Sequence, residues 1–129
     1  MIHVTAAIIR SNGKILICRR GEGGNCAHLW EFPGGKIEAG ETPFQCIVRE
    51  IQEELSLEIK PLRVVDEYAY RYPDKKIYFS FIEGEIVSGE LQPLVHEEIC
   101  WVAPEEFQNY EWCPADRRVV DGLLHEYFC

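Results

Sequence analysis

A chain of 129 residues carrying a formal net charge of −9 has room for a single domain, residues 1–129, whose core buries about two thirds of the surface that the unfolded chain would expose. The acidic balance argues against a polymeric nucleic acid as partner, since such binding relies on basic surface to displace phosphate counterions, yet it admits a small anionic ligand that arrives with its own cation. No run of eighteen apolar residues exists and no basic region precedes the apolar N-terminal stretch, so neither a membrane span nor a secretory signal is expected and the protein reads as cytoplasmic.

Ile2 to Ile9 reads as a β-strand, and Ser11-Asn12-Gly13 supplies a hairpin turn into a second strand over Lys14 to Cys18. Arg19-Arg20 ends that strand. The loop Gly21-Glu22-Gly23-Gly24-Asn25 lacks the third glycine of a dinucleotide fingerprint and is given no cofactor role. Trp30-Glu31-Phe32-Pro33 is an extended apolar segment that stops at proline and turns through Gly34-Gly35, two residues that tolerate positive φ and close backbone approach.

A helix is expected to start at Pro43. Thr42 supplies a capping hydroxyl, Pro43 fits the first helical position, and Gln45 completes a capping box. Phe44, Ile47, Val48, Ile51 and Leu55 then recur at steps of three and four, one apolar stripe facing a core. Glu50, Glu53 and Glu54 stand at i, i+3 and i+4, so their carboxylates share one patch and repel by roughly a few tenths of a kcal/mol per pair, only part of which Arg49 offsets. In isolation such a run is a solvated face. Hard divalent cations, however, want carboxylate oxygens converging from one rigid element, and Mg²⁺ binds through a few carboxylates plus phosphate oxygens. The cluster is therefore a candidate metal site.

Further strands are expected over Arg63 to Tyr70 and Lys76 to Glu83, around Tyr72-Pro73-Asp74, then a shorter one over Glu85-Ile86-Val87 and another over Ile99 to Val102. A second helix begins at Pro114-Ala115-Asp116 and places Val120, Leu123, Leu124, Tyr127 and Phe128 on one stripe. Cys18, Cys26, Cys46, Cys100, Cys113 and Cys129 form no CxxC pair and read as reduced thiols, mostly buried, with Cys26 and Cys129 the exposed ones. No Ser/His/Asp or Cys/His nucleophile set is discernible.

Gly35, Glu41, Arg49, Glu50, Ile51, Glu53, Glu54 and Leu57 stand in the register of a known box: a Gly, five residues, a Glu, seven residues, then Arg-Glu-apolar-any-Glu-Glu-any-Gly-apolar. In this the chain resembles the Nudix hydrolases. Ser56 is the one departure within the box, in place of Gly just past the helix end, where left-handed geometry costs a non-Gly residue about 1 kcal/mol. Within the family the chain looks like the MutT type, which hydrolyses nucleoside triphosphates to the monophosphate and pyrophosphate and clears oxidised nucleotides. That likeness is carried by Ala6-Ala7-Ile8-Ile9, Arg19-Arg20, Trp30 to Glu38, Tyr72-Pro73-Asp74, Trp101-Val102 and Pro114-Ala115-Asp116.

The resemblance implies an α/β fold, an α/β/α sandwich around a central mixed sheet, in an enzyme that is a monomer or weak homodimer. It implies that Glu50, Glu53 and Glu54 hold Mg²⁺, or Mn²⁺ in its place, with help from the Gly34 or Gly35 carbonyl; that Arg49 orients the carboxylates; and that Arg20 holds the triphosphate. Glu50 or an acid from a later loop would take the proton. Many relatives place that later acid six residues before the tryptophan matching Trp101, where this chain has Val95; Glu97 or Glu98 would have to reach in instead. His96 beside them reads as a surface residue rather than a base.

On the substrate side the candidates are Glu31, Phe32, Tyr72, Tyr78 and Asp116. The three aromatic residues are stacking surfaces or plain core. MutT-type enzymes that act on 8-oxoguanine nucleotides often carry Asn at the place of Asp116; an ionised Asp only accepts, which suits cytosine N4, and pairs well with 8-oxoguanine only when protonated or reoriented. A helix N-cap is its structural alternative. The expected activity is thus hydrolysis of 8-oxo-dGTP or a cytosine triphosphate. A hydrolase of ADP-ribose or dinucleotide polyphosphates would use the same box with other substrate-side elements, and a non-hydrolytic nucleotide-binding module would be expected to have lost Glu53 or Glu54.

Overall fold

Asn12 and Gly13 both adopt positive φ, 52° and 78°, the backbone that a two-residue hairpin turn demands. They join β1 (Ile2–Ser11) to β2 (Lys14–Arg19) in the antiparallel hairpin read from the sequence. The computed structural model describes the backbone of residues 1–128 and the side chains of residues 1–126. The places of Tyr127 and Phe128 on the last helix stripe, and the exposure of Cys129, lie outside the described residues.

β1 organises the sheet. One of its edges runs parallel to β6 (Lys76–Gly89) from Ile2 to Ile9. Its other edge is divided: Val4 to Ala6 pair with β4 (Gly34–Lys36), while Arg10 and Ser11 pair with β2. β2 carries β3 (Trp30–Glu31) and β7 (Glu98–Val102), and β6 carries β5 (Leu57–Arg71). One parallel pairing among antiparallel ones makes the sheet mixed.

Helices cover both faces, which explains why Ala6 to Ile9 is a continuous apolar run rather than an alternating one. Ala7 and Ile9 meet Ile47, Ile51 and Leu55 of α1 (Pro43–Leu55), and Ala6 and Ile8 meet Val119, Val120 and Leu123 of α2 (Arg117–Phe128). The result is the expected α/β/α sandwich. α1 starts as read, with Thr42 Oγ1 accepting from the Gln45 amide at 3.1 Å and Gln45 Oε1 accepting from the Thr42 amide at 2.9 Å. It ends at Ser56, whose φ of 58° and ψ of 31° are left-handed. Phe44 departs from the expected stripe: it is exposed, and Cys46 is buried in the first turn instead.

Three expectations are corrected. β5 begins at Leu57, directly after the helix cap, not at Arg63; register shifts on either side of Pro61, which has no amide to donate, keep the ladder going. Glu85-Ile86-Val87 is no separate strand, since β6 continues unbroken to Gly89 against this longer partner. Cys26 and Cys113, 87 residues apart, form a disulfide with a Cα–Cα distance of 5.4 Å, and Cys26 is buried. Folding brings the loop after β2 against the segment before α2, a juxtaposition that cysteine spacing does not encode. Cys18 and Cys46 are buried free thiols, as read.

Candidate active site

β4 and the exposed face of α1 build the acidic centre. Gly34 and Gly35 are glycines for steric reasons: a Cβ at Gly34 would collide with the backbone of Thr5 and Ala6, and one at Gly35 would collide with the carboxyl group of Glu50. Arg49 gathers the acids. It donates from Nε and Nη2 to Glu41 at 2.7 and 3.0 Å, and from Nη1 to Glu50 at 2.9 Å and Glu53 at 3.1 Å, while Nη2 also reaches the Lys36 carbonyl at 3.1 Å. The hydrogen bonds from Arg49 hold the Glu41 carboxyl down at about 2, and the surrounding carboxylates push the Arg49 guanidinium up. Glu41 is thus the anchor that orients Arg49, which in turn orients Glu50 and Glu53.

Glu54 differs from its neighbours because it is buried. Burial first, then a hydrogen bond with Glu50 and the charges of Glu50 and Glu31, push its carboxyl up to about 9, against the opposing pull of the Gly34 amide. Glu54 and Glu50 thus face each other as a close carboxyl pair in which Glu54 favours its protonated form. Glu53 is turned outward to Arg49 with more than half its side chain exposed. His96, read as a surface residue, is instead buried, its side chain 4% exposed, with Nε2 3.0 Å from Glu31 and 3.8 Å from Glu54. Two backbone hydrogen bonds pin its loop over the end of α1: the Leu94 amide to the Glu54 carbonyl at 3.0 Å and the Glu97 amide to the Arg19 carbonyl at 2.9 Å. The missing signal was the set of bare carbonyls at a helix C-terminus, whose partners a linear sequence does not reveal.

Beside this centre opens a cleft of about 230 Å³, lined by Arg20, Glu31, Phe32, Gly34, Gly35, Tyr72 and Asp116 among others. Asp116 is buried at its floor. Burial, then the charge of Glu31, raises its carboxyl well above the ordinary range, opposed by a hydrogen bond from the Phe32 amide and by Arg20. The segment that carries it is fastened: Tyr68 donates its hydroxyl to the Ala115 carbonyl, and the Cys113 amide donates to the Trp30 carbonyl at 2.8 Å. Tyr72 and the Cys26–Cys113 bridge line the cleft together, with the Tyr72 hydroxyl 3.2 Å from Cys113 Sγ. Arg20 belongs to this cleft and to a second one shared with Glu54 and His96. It lies 3.4 Å from Glu31.

The structure thus brings together Glu50, Glu54, Gly34, Gly35, Arg49, Arg20, Glu31, Tyr72 and Asp116. Phe32 reaches the cleft from the core, packed among Phe81, Phe107 and Trp112. Tyr78 is not brought in: it sits edge-on to His3 at 5.0 Å, while its strand neighbours Ile77 and Phe79 face the cleft, the alternation that a strand imposes. Glu97 faces His28 and Arg19 at 3.0 and 3.2 Å, and Glu98 lies 3.9 Å from Arg19, so neither joins the Glu50–Glu54 pair.

The model of the NUDIX domain matches residues 1–123. The chain belongs to the NUDIX family. It is 36% identical over 124 residues to the CTP pyrophosphohydrolase of Escherichia coli K12, covering 96% of this chain and 92% of that protein. With the 8-oxo-dGTP diphosphatase of the same strain the identity is 40% over 123 residues, covering 95% of each. The crystal structure of the MutT protein of Methanosarcina mazei Go1 superimposes with a TM-score of 0.85 at 25% identity, over 98% of this chain and 94% of that one.

NUDIX hydrolases generally need a divalent metal. Among the described residues no three His, Cys, Asp or Glu groups converge into a ready-made cage. Mg²⁺ does not require one, since it takes one or two carboxylates and fills its octahedron with water and phosphate oxygens. Two facing carboxyl groups beside a strand with no side chain at Gly35 fit that requirement. No helix among the described residues is long and apolar enough to cross a membrane.

Proposed function

We propose that this NUDIX protein is a nucleoside triphosphate diphosphatase, a single domain that converts a triphosphate and water into the monophosphate and pyrophosphate, and that its substrates are damaged or modified nucleotides of the cytoplasmic pool. The observation that carries this reading is the placement of the Glu50–Glu54 pair at one end of the cleft and buried Asp116 at the other, with Arg20 between them.

Glu50 and Glu54 would hold Mg²⁺, with Glu53 joining from the rim. Bound there, the cation sets positive charge against the phosphate oxygens and makes water acidic enough to attack near neutral pH. Arg49 keeps Glu50 pointed at β4, and Glu50 takes a proton from the attacking water. Arg20, exposed at the cleft mouth, donates to the triphosphate. Asp116 reads the base. Burial and the charge of Glu31 push its carboxyl toward the neutral form, which offers one O–H donor and one acceptor, the pair that O6 and N7–H of 8-oxoguanine require. A neutral carboxyl also matches N3 and N4–H of cytosine, so a cytosine triphosphate is the second substrate reading, favoured by the likeness to a CTP pyrophosphohydrolase.

The test is pyrophosphate release with Mg²⁺ over 8-oxo-dGTP, CTP, 5-substituted dCTP and ADP-ribose. One triphosphate turns over at least about tenfold better than the rest, and Glu54→Gln lowers its kcat by about 100-fold or more. Unchanged turnover in Glu54→Gln refutes the metal-site reading; two monophosphates from ADP-ribose, with no triphosphate turned over, refute the substrate class.

A further inference from the structure

Among the described residues, a single buried side-chain nitrogen or oxygen lacks a hydrogen-bond partner: Nδ1 of His96. The ring is nonetheless tightly placed. Its other nitrogen, Nε2, lies 3.0 Å from Glu31 Oε2. All acceptors within reach of the ring stand on the Nε2 side, so the ring hydrogen belongs on Nε2 and is donated to Glu31.

Glu31 is one of three residues, with Arg20 and Gly34, that line both clefts. It lines the first with Asp116 and the second with Glu54 and His96. Its Oε1 lies 3.4 Å from Arg20 Nη1, so one carboxylate oxygen is held by His96 and the other faces Arg20. Its side chain is only 17% exposed. The charge of Glu31 acts on the carboxyls of both Glu54 and Asp116, so a donor that fixes where that charge sits acts on both ends of the site. His96 is that donor, and the strapping of residues 94 and 97 to α1 and β2 gives it a fixed position from which to act.

We propose that His96 is a positioning residue for the substrate: by donating from Nε2 to Glu31 it holds the Glu31 carboxylate between Arg20 and Asp116, and so sets how the nucleotide seats in the cleft. This rests on the triphosphate reading above for its substrate, and on the geometry alone for the His96–Glu31 link. A positioning role acts on nucleotide binding. A group that moves protons in the reaction would act on kcat instead.

The experiment measures kcat and KM for the best triphosphate in wild type, His96→Ala, His96→Gln, Glu31→Gln and the His96→Ala/Glu31→Gln pair. Loss of an outer partner that orients a site group costs on the order of 10–100-fold. His96→Ala is expected to raise KM about tenfold with kcat kept within about threefold. His96→Gln, whose amide nitrogen reaches the Nε2 position, restores KM to within about threefold of wild type. The double variant is no worse than the worse single one. A fall in kcat at unchanged KM overturns the proposal, as does a His96→Gln variant as impaired as His96→Ala, or additive effects in the pair. Imidazole ¹⁵N NMR reads the link without turnover: the expected spectrum has a protonated Nε2 that shifts in Glu31→Gln, and a proton on Nδ1 overturns the proposal. A wild-type protein silent on every triphosphate defeats the functional reading, and the NMR result still decides the His96–Glu31 link.

Discussion

Glu54 sits where a carboxyl group keeps its proton, so the metal-free protein answers to pH in a defined direction. Its pKa is raised from the ordinary 4.5 to about 9, chiefly by burial. Between those two values the folded protein binds more protons than the unfolded chain, so the stabilisation from this group is fully present below about 4.5 and is lost as pH rises through about 9. A glutamine at this place keeps the shape and has no proton to lose. Without metal, the melting temperature of wild type is therefore expected to fall relative to Glu54→Gln between about pH 5 and about pH 9. Added Mg²⁺ at about pH 8 raises the wild-type melting temperature and leaves that of Glu54→Gln nearly unmoved, because a ligand stabilises only the form that binds it. Parallel melting curves for the two proteins would refute the buried-acid account. The three glutamates were legible as a set from their spacing, but which of them is buried was not. Helical periodicity places Glu50, Glu53 and Glu54 on one patch, and only the packing of β4 and the His96 loop over that patch separates Glu54 from Glu53.

At the scale of elements, β4 is three residues long and does two jobs through two adjacent glycines. Gly34 meets backbone, which cannot move aside, whereas Gly35 meets the end of a flexible side chain. Alanine at the two positions is therefore expected to fail differently. Gly34→Ala forces β4 off β1 and lowers stability by about 2 kcal/mol or more, the scale of an overpacked core. Gly35→Ala pushes the Glu50 carboxyl aside, leaves the melting temperature near wild type, and lowers kcat about 100-fold, the scale of a catalytic group misplaced by about 1 Å. Thermal unfolding and pyrophosphate release on the two variants separate these effects, and equal stability loss in both would refute the distinction. Local chemistry made other elements readable in advance: the Asn12-Gly13 turn and the Thr42/Gln45 capping box are each specified by two or three neighbouring residues, while the left-handed Ser56 was readable from the glycine that the resembling box carries there. The start of β5 at Leu57 and the length of β6 were not, because those two strands hold each other in pairing beyond what their own patterns ask for.

At the scale of the whole molecule, what the sequence hides is contact between distant segments. His96 looked like a loop residue and is buried by hydrogen bonds from its neighbours to α1 and β2; Cys26 looked exposed and meets Cys113 across 87 residues of chain. The bridge ties the glycine-rich loop after β2 to the segment that ends in Asp116, two walls of the same cleft. A crosslink that closes so long a loop removes freedom mainly from the unfolded chain, and native disulfides of this kind contribute roughly 2–4 kcal/mol. For a domain of this size that corresponds to a fall of about 10 °C in melting temperature on reduction. The protein with the bridge formed, treated with a thiol reductant, is expected to show that fall. Cys26→Ser is expected to melt at the reduced temperature and to be insensitive to the reductant. Cys18→Ser behaves differently: its sulfur has no partner in a bridge, so the reductant still shifts the melting of that variant by the full amount. If the reductant moves neither wild type nor Cys18→Ser, the two cleft walls are held by the Tyr68–Ala115 and Trp30–Cys113 hydrogen bonds without help from the bridge.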